Sequence, residues 1–234
     1  MQLVKGRKRS TRPAILASIY FAILSLGLGL IHNEYRNYLK KKYFKEIGLD
    51  QDKSGLQAVE TNYGEEIKKH ALKRNLNIDF LKALCMLECS GRKVVPSRFE
   101  PHVYKKLVAV KKTKGAFYER IQHHQIKMLS DGAIRNLSSS WGPFQLMGIR
   151  SVNLNCSVSD LKGLLAVEKA VEWIDAEYGY LIKEKRYKDA FHKHNTGKLY
   201  PDFGPPKTFN PQYVNLGIRF MEYYRTIATG ELKK

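Results

Sequence analysis

Acidic residues are scarce in this chain of 234 residues: 22 Asp and Glu stand against 41 Lys and Arg, a formal net charge of +19. So one-sided a balance favours polyanionic partners, which include nucleic acid, anionic lipid headgroups and an acidic cell-wall polymer. The chain has no recognised nucleic-acid reader motif, and its basic residues are spread along its length, which argues against nucleic acid. Cysteine is scarcer still. Cys85, Cys89 and Cys156 make an odd count, and the first two sit one helical turn apart, which argues against a bridge between them. They read as small core residues, with a single bridge to Cys156 left open for an oxidising compartment. His123-His124 and His192-x-His194 are the only histidine pairs. Without a Cys or carboxylate framework around them no metal site is expected, and no cofactor. Internal repeats and low-complexity tracts are also missing. What is present is 43% hydrophobic residues with 14 Tyr and 10 Phe, the composition of a packed globular core rather than a disordered chain. The length fits one domain with a modest appendage.

Charge is absent altogether from residues 14–31, "AILASIYFAILSLGLGLI", which follow Lys5, Arg7, Lys8, Arg9 and Arg12. Eighteen residues at a rise of ~1.5 Å reach about 27 Å, close to the hydrocarbon thickness of a bilayer. The expectation is an N-terminal hydrophobic helix acting as an uncleaved membrane anchor, with cleavage near Gly27 or Gly29 as the alternative. Arg36, Lys40, Lys41, Lys42 and Lys45 follow the segment almost as densely as basic residues precede it, so the positive-inside rule is nearly tied. The expected organisation is a basic tail over 1–12, an anchor or signal segment over 13–31, a polar connector over 32–56 and a folded domain over 57–234.

From Ala58 the hydrophobic spacing is helical, with Ile67, Ala71 and Leu72 set among charges. Asn77 or Asp79 caps a second helix that Gly91 ends. "KVVPSRF" leans to β, with Pro96 marking an edge or bend. Pro101 suits the first turn of a third helix. Further helices are expected near 165–184, 187–195 and 211–228. The class is mostly α with a small β or irregular element after Gly91. In the second helix Leu81, Leu84, Cys85 and Glu88 fall at i, i+3, i+4 and i+7, so the only carboxylate of "ALCMLEC" sits on an apolar stripe. Desolvation and the negative end of the helix dipole both disfavour a charge there. A carboxyl so placed suits general acid work on a poor leaving group. The structural alternative is a pair with Arg92 or Arg98.

Glu88-x-Ser90-Gly91 is followed some fifty residues on by Ser140-x-Gly142-x-x-Gln145-x-Met147, and later by His194-Asn195-Thr196-Gly197. This ordered pattern resembles the lysozyme-like glycosidases: goose-type lysozymes, soluble lytic transglycosylases and related N-acetylmuramidases. The resemblance covers about residues 60–228 and rests on order, spacing and helical context together. It implies a lysozyme-like catalytic domain that cleaves the β-1,4 link between N-acetylmuramic acid and N-acetylglucosamine, with Glu88 as the acid. Phe99-Glu100-Pro101-His102 resembles the Phe-Glu-x-His element of the N-acetylmuramidases, which makes Glu100 the second candidate carboxylate. Ser140, Gln145, His194 and Asn195 are the implied substrate contacts. His194 stands where these families usually have Tyr. Gly142 and Pro143 are expected to open a short helix that presents the Gln145 amide to a sugar, with Ser140 capping it or approaching Glu88. Asn195 is expected in a closing turn. The basic stretch from Lys105 to Lys127 reads either as a solvated lobe or as a grip on an acidic wall polymer. Implied partners are peptidoglycan strands, membrane lipid through residues 13–31, and proteins of a phage particle or secretion apparatus, with the domain on the wall side of the membrane. Three alternatives stand beside hydrolysis: lytic transglycosylation to 1,6-anhydro products, a non-catalytic glycan-binding module of lysozyme-like fold, and a nucleic-acid-binding membrane protein.

Overall fold

A computed structural model describes residues 51–229 together with Leu30, Glu34 and Leu49. The chain divides into two units, 1–50 with 232–234 and 51–231. Apart from Leu30, the hydrophobic segment over 13–31 lies outside the described residues, as does most of the expected connector. Among the described residues no helix is long and apolar enough to cross a membrane.

Helix α1 spans Lys53–Lys73, five residues earlier than the spacing from Ala58 suggested. Gly55 looks like a linker residue, yet its place is inside this helix: a Cβ there would lie 2.7 Å from Met86 Cε. The glycine lets α1 pass close over α2, Ile78–Cys89. Asn77 begins α2 by accepting a hydrogen bond from the Phe80 amide at 2.7 Å, which satisfies one of the free donors of the first turn. Seven of the twelve residues of α2 are buried, Phe80, Leu81, Leu84 and Cys85 completely. At about 1.5–3 kcal/mol for each large side chain, this burial outweighs any local propensity.

The bundle is completed by α7 (Ala166–Lys183), α8 (Tyr187–Thr196) and α9 (Tyr213–Thr229), each within two residues of its expected bounds. Helix α2 packs on α1 and α9, α1 on α7, and α8 on both α7 and α9. Phe80 joins α2 to α8, its ring 4.4 Å from that of Phe191. The loop between α8 and α9 is anchored by buried His192, which donates from Nδ1 to the Lys198 carbonyl and accepts at Nε2 from the Lys207 amide. All three cysteines are free, so the bridge to Cys156 is not made. Cys85 and Cys89 are core residues, as their spacing suggested.

Between α2 and α7 the chain builds a smaller lobe. It comprises β1 (Arg98–Phe99), α3 (Pro101–Lys112), β2 (Phe117–Tyr118), β3 (Ile121–Gln122), α4 (His123–Ile126), α5 (Asp131–Leu137), β4 (Ser139–Trp141), β5 (Leu146–Met147), α6 (Arg150–Asn153) and a short 3-10 helix, Val158–Leu161. Its core includes Val103, Leu107, Val110, Ile121, Ile126 and Ile134. Strands β2 and β3 form a hairpin, and β1, β4 and β5 form an antiparallel sheet in that order. Arg98 faces Ser140, and Ser140 faces Met147. Only two residues of "KVVPSRF" join this sheet, at its edge, as Pro96 requires.

The helix expected at Gly142–Pro143 is instead the turn between β4 and β5. The Gln145 amide donates to the Gly142 carbonyl at 3.1 Å, with Pro143 in the second position, where its fixed φ suits a β-turn. Gly142 has φ +71°, and a Cβ there would lie 2.1 Å from the Leu161 carbonyl oxygen. Pairing of Ser140–Trp141 with Leu146–Met147 leaves four residues between the strands, too few for a helix.

Candidate active site

Glu88 occupies the last turn of α2. Ser90 and Gly91 follow in left-handed conformation, φ +52° and +71°, and turn the chain sharply away. A Cβ on Gly91 would approach the Val59 nitrogen to 2.5 Å, so the helix end sits hard against α1 and the Glu88 side chain is held over the space between the lobes. That side chain keeps 14% of its surface. The arginines considered as its partners go elsewhere: Arg92 Nε donates to the Cys89 carbonyl, and Arg98 Nε donates to Glu100 Oε1 at 2.7 Å.

The hydroxyl of Tyr213, the first residue of α9, donates to Glu88 Oε1. Burial, with the Glu88 charge second, holds the Tyr213 phenol well above its ordinary pKa. It therefore stays a donor. His194 Nε2 lies 3.8 Å from the same carboxylate oxygen. Burial pushes this imidazole below the ordinary histidine value of 6.5, against the upward pull of Glu88 and of the hydrogen bond to Phe144. The ring is neutral at neutral pH, and its partners fix the tautomer: Nε2–H donates to the Phe144 carbonyl at 3.2 Å, and Nδ1 accepts from the Tyr178 hydroxyl at 2.7 Å. The contact with Glu88 is consequently not an ion pair. Tyr213 thus presents a phenolic hydroxyl to the Glu88 carboxylate. Neither Tyr213 nor Tyr178 stands out in the sequence, since nothing local separates them from the other tyrosines.

A cleft of about 570 Å³ is lined by Glu88, Glu100, Ser140, Gln145, His194 and Asn195, with Arg98 and Tyr213 beside them. All six residues singled out in the sequence thus border one space. A second hollow of about 470 Å³ shares Arg98, Glu100, Met147, His194 and Asn195 with it and runs on past Trp173 and Glu177. The two hollows therefore adjoin across these shared walls. The buried indole nitrogen of Trp173 has no hydrogen-bond partner among the described residues.

The contacts within the cleft differ from the expected ones at four positions. Gln145 turns its amide to its own chain: Oε1 accepts from Ser140 Oγ at 2.8 Å, and Nε2 donates to the Gly142 and Pro96 carbonyls at 3.1 and 3.4 Å. It pins the β4–β5 turn to the segment before β1. Ser140 belongs to β4 and is committed to Gln145, so it neither caps a helix nor bonds Glu88. Asn195 lies in the last turn of α8, exposed toward the groove, and the closing turn begins at Gly197, φ +75°. Glu100 immediately precedes α3 without a side-chain capping bond, its amide bonded to the Ser138 carbonyl and its carboxylate between Arg98 and His102.

Comparison with family models, with curated proteins and with solved structures gives no match. The site is read from its own geometry.

Proposed function

We propose that the 51–229 domain is a lysozyme-like glycosidase that cleaves the β-1,4 link between N-acetylmuramic acid and N-acetylglucosamine in peptidoglycan. The observation that carries this reading is the convergence of residues from 88 to 195 on one groove around a hydroxyl-bonded carboxylate at a helix end. The cleft is open to solvent, as access for a polymeric glycan requires. Glu88 is the general acid. Because Tyr213 donates to Oε1, the transferable proton sits on Oε2 and passes to the glycosidic oxygen as the C1–O bond breaks. The carboxylate left behind then faces an oxocarbenium-like centre of opposite charge. The excess of positive charge draws the domain to an acidic wall polymer. In this reading residues 13–31 hold the domain on the wall side of a membrane, in a cell envelope, a secretion apparatus or a phage particle.

One contact favours transglycosylation over hydrolysis. Glu100 is engaged by Arg98 through Oε1 and faces His102 across 3.6 Å through Oε2, which is the setting of a structural carboxylate rather than of a base that activates water. The muramic acid's own C6 hydroxyl then closes on C1 and returns its proton to Glu88, giving a 1,6-anhydro end without a second carboxylate.

The test is digestion of purified peptidoglycan by the full-length chain and by Glu88→Gln, with the soluble products weighed by mass spectrometry. The amide keeps the acceptor for Tyr213 and removes the acid. Lysis should fall about 10²–10⁴-fold at an unchanged unfolding midpoint, and wild-type products should end in anhydro sugars, each lighter by one water. Near-wild-type lysis by a folded Glu88→Gln chain removes Glu88 from the chemistry.

A further inference from the structure

The small lobe carries a surface that the groove does not use. Helix α3 starts at Pro101, next to the groove residue Glu100, and runs for 12 residues to Lys112, about 18 Å. At its far end the β2–β3 hairpin and α4 gather a patch of cations and exposed apolar side chains. Lys105 and Lys112 share one face of α3, seven residues apart, and Lys114 and Lys127 flank the hairpin. Among the described residues none of these four is ion-paired. The carboxylates of the region are engaged elsewhere, Asp131 by Lys111 at 2.9 Å and Glu119 by Arg150 at 3.2 Å. Phe117, in β2, is 76% exposed, and Met128, next in sequence to Lys127, is 87% exposed. Lys114, Phe117, His124 and Lys127 border one open hollow.

A soluble polyanion would satisfy the lysines and leave Phe117 and Met128 in water. A bilayer surface satisfies both kinds of group, because lysines meet lipid phosphates at the level where aromatic and thioether side chains enter the headgroup and acyl boundary. We propose that this face is a docking surface for an anionic phospholipid bilayer, with Phe117 and Met128 inserted and Lys112, Lys114 and Lys127 on the headgroups. Docked in this way, the lobe meets lipid at one end of α3 and borders the groove at the other. The inference needs neither glycan cleavage nor a spanning segment over 13–31, and its readout involves no lysis.

The test uses the full-length chain carrying F117W, reconstituted with vesicles of phosphatidylglycerol or phosphatidylcholine whose acyl chains are brominated or plain. Brominated phosphatidylglycerol should quench the introduced indole at least twofold beyond any change in the wild-type chain, whose own Trp141 and Trp173 give the baseline. Phosphatidylcholine should leave it unquenched. Each Lys at an anionic surface is worth about a fivefold change in partitioning, so K112Q/K114Q/K127Q in the same background should weaken docking about a hundredfold and abolish the quenching. About 0.5 M salt should act in the same direction. Equal emission in brominated and plain phosphatidylglycerol overturns the proposal. So does an emission shift produced by solubilised wall polymer and by neither vesicle, which assigns the face to the polymer.

Discussion

Replacing Tyr213 by phenylalanine removes one oxygen atom from the candidate site and leaves its packing. The ring is buried, and its hydroxyl is the donor held on Glu88 Oε1. A hydrogen bond to an ionised partner contributes about 1.5–3 kcal/mol. If the whole of it orients the acid in the transition state, Y213F lowers kcat by about 10- to 150-fold at 1.36 kcal/mol per factor of ten. KM should change little, because the hydroxyl faces the carboxylate rather than the sugar. Stability should suffer less than catalysis. The Glu88 side chain keeps 14% of its surface, so water can take the vacated place, and the loss sits near about 1 kcal/mol, or about 2–4 °C in Tm for a domain of this size. Wall-lysis kinetics and thermal unfolding of the two chains measure both quantities. Unchanged kcat in a folded Y213F chain would refute the view that Tyr213 positions the acid. A rise in KM alone would show that it touches substrate instead.

Three other outcomes follow from named contacts. Glu100→Gln should retain most of the lytic rate and change stability by less than about 1 kcal/mol, since its Arg98 partner is 72% exposed; a loss of a hundredfold or more would restore Glu100 as a base for water. Stability should fall as pH drops below the ordinary histidine value of 6.5, because the unfolded chain takes up a proton that buried His194 refuses. Unfolding midpoints of wild type and H194Q across pH 7.5 to 5 should converge as pH falls, and a constant difference would mean that His194 titrates normally. Gly142→Ala should cost about 2–5 kcal/mol, combining left-handed strain with the clash at the Leu161 carbonyl, and urea unfolding that places the loss within about 0.5 kcal/mol would contradict the turn geometry.

Much of the helical framework was legible in the sequence because its signals are local. Asn77 caps, the stripe of Leu81, Leu84, Cys85 and Glu88, Pro101 at a first turn and the apolar spacing of the last three helices each act within a few residues. Gly55 and Gly142 were misleading for the opposite reason. Read locally, Gly55 falls in the connector and Gly142 opens a helix, whereas in the fold Gly55 packs against the Met86 side chain and the Leu161 carbonyl leaves no room for a Cβ at Gly142.

The candidate site divides along the same line. The chain by itself determined that a lone carboxylate ends an apolar helix, since periodicity places Glu88 without reference to any other segment. It also indicated which residues would gather, through motifs at 88–91, 99–102, 140–147 and 194–197. Only the tertiary structure decided their roles. It brought Tyr213 across 125 residues to Glu88, locked His194 as a neutral ring between Tyr178 and Phe144, and turned the Gln145 amide inward onto Ser140 and Gly142. A side chain's type and helical phase are set by its neighbours in sequence, whereas its hydrogen-bond partners and its proton are set by whatever the fold packs against it.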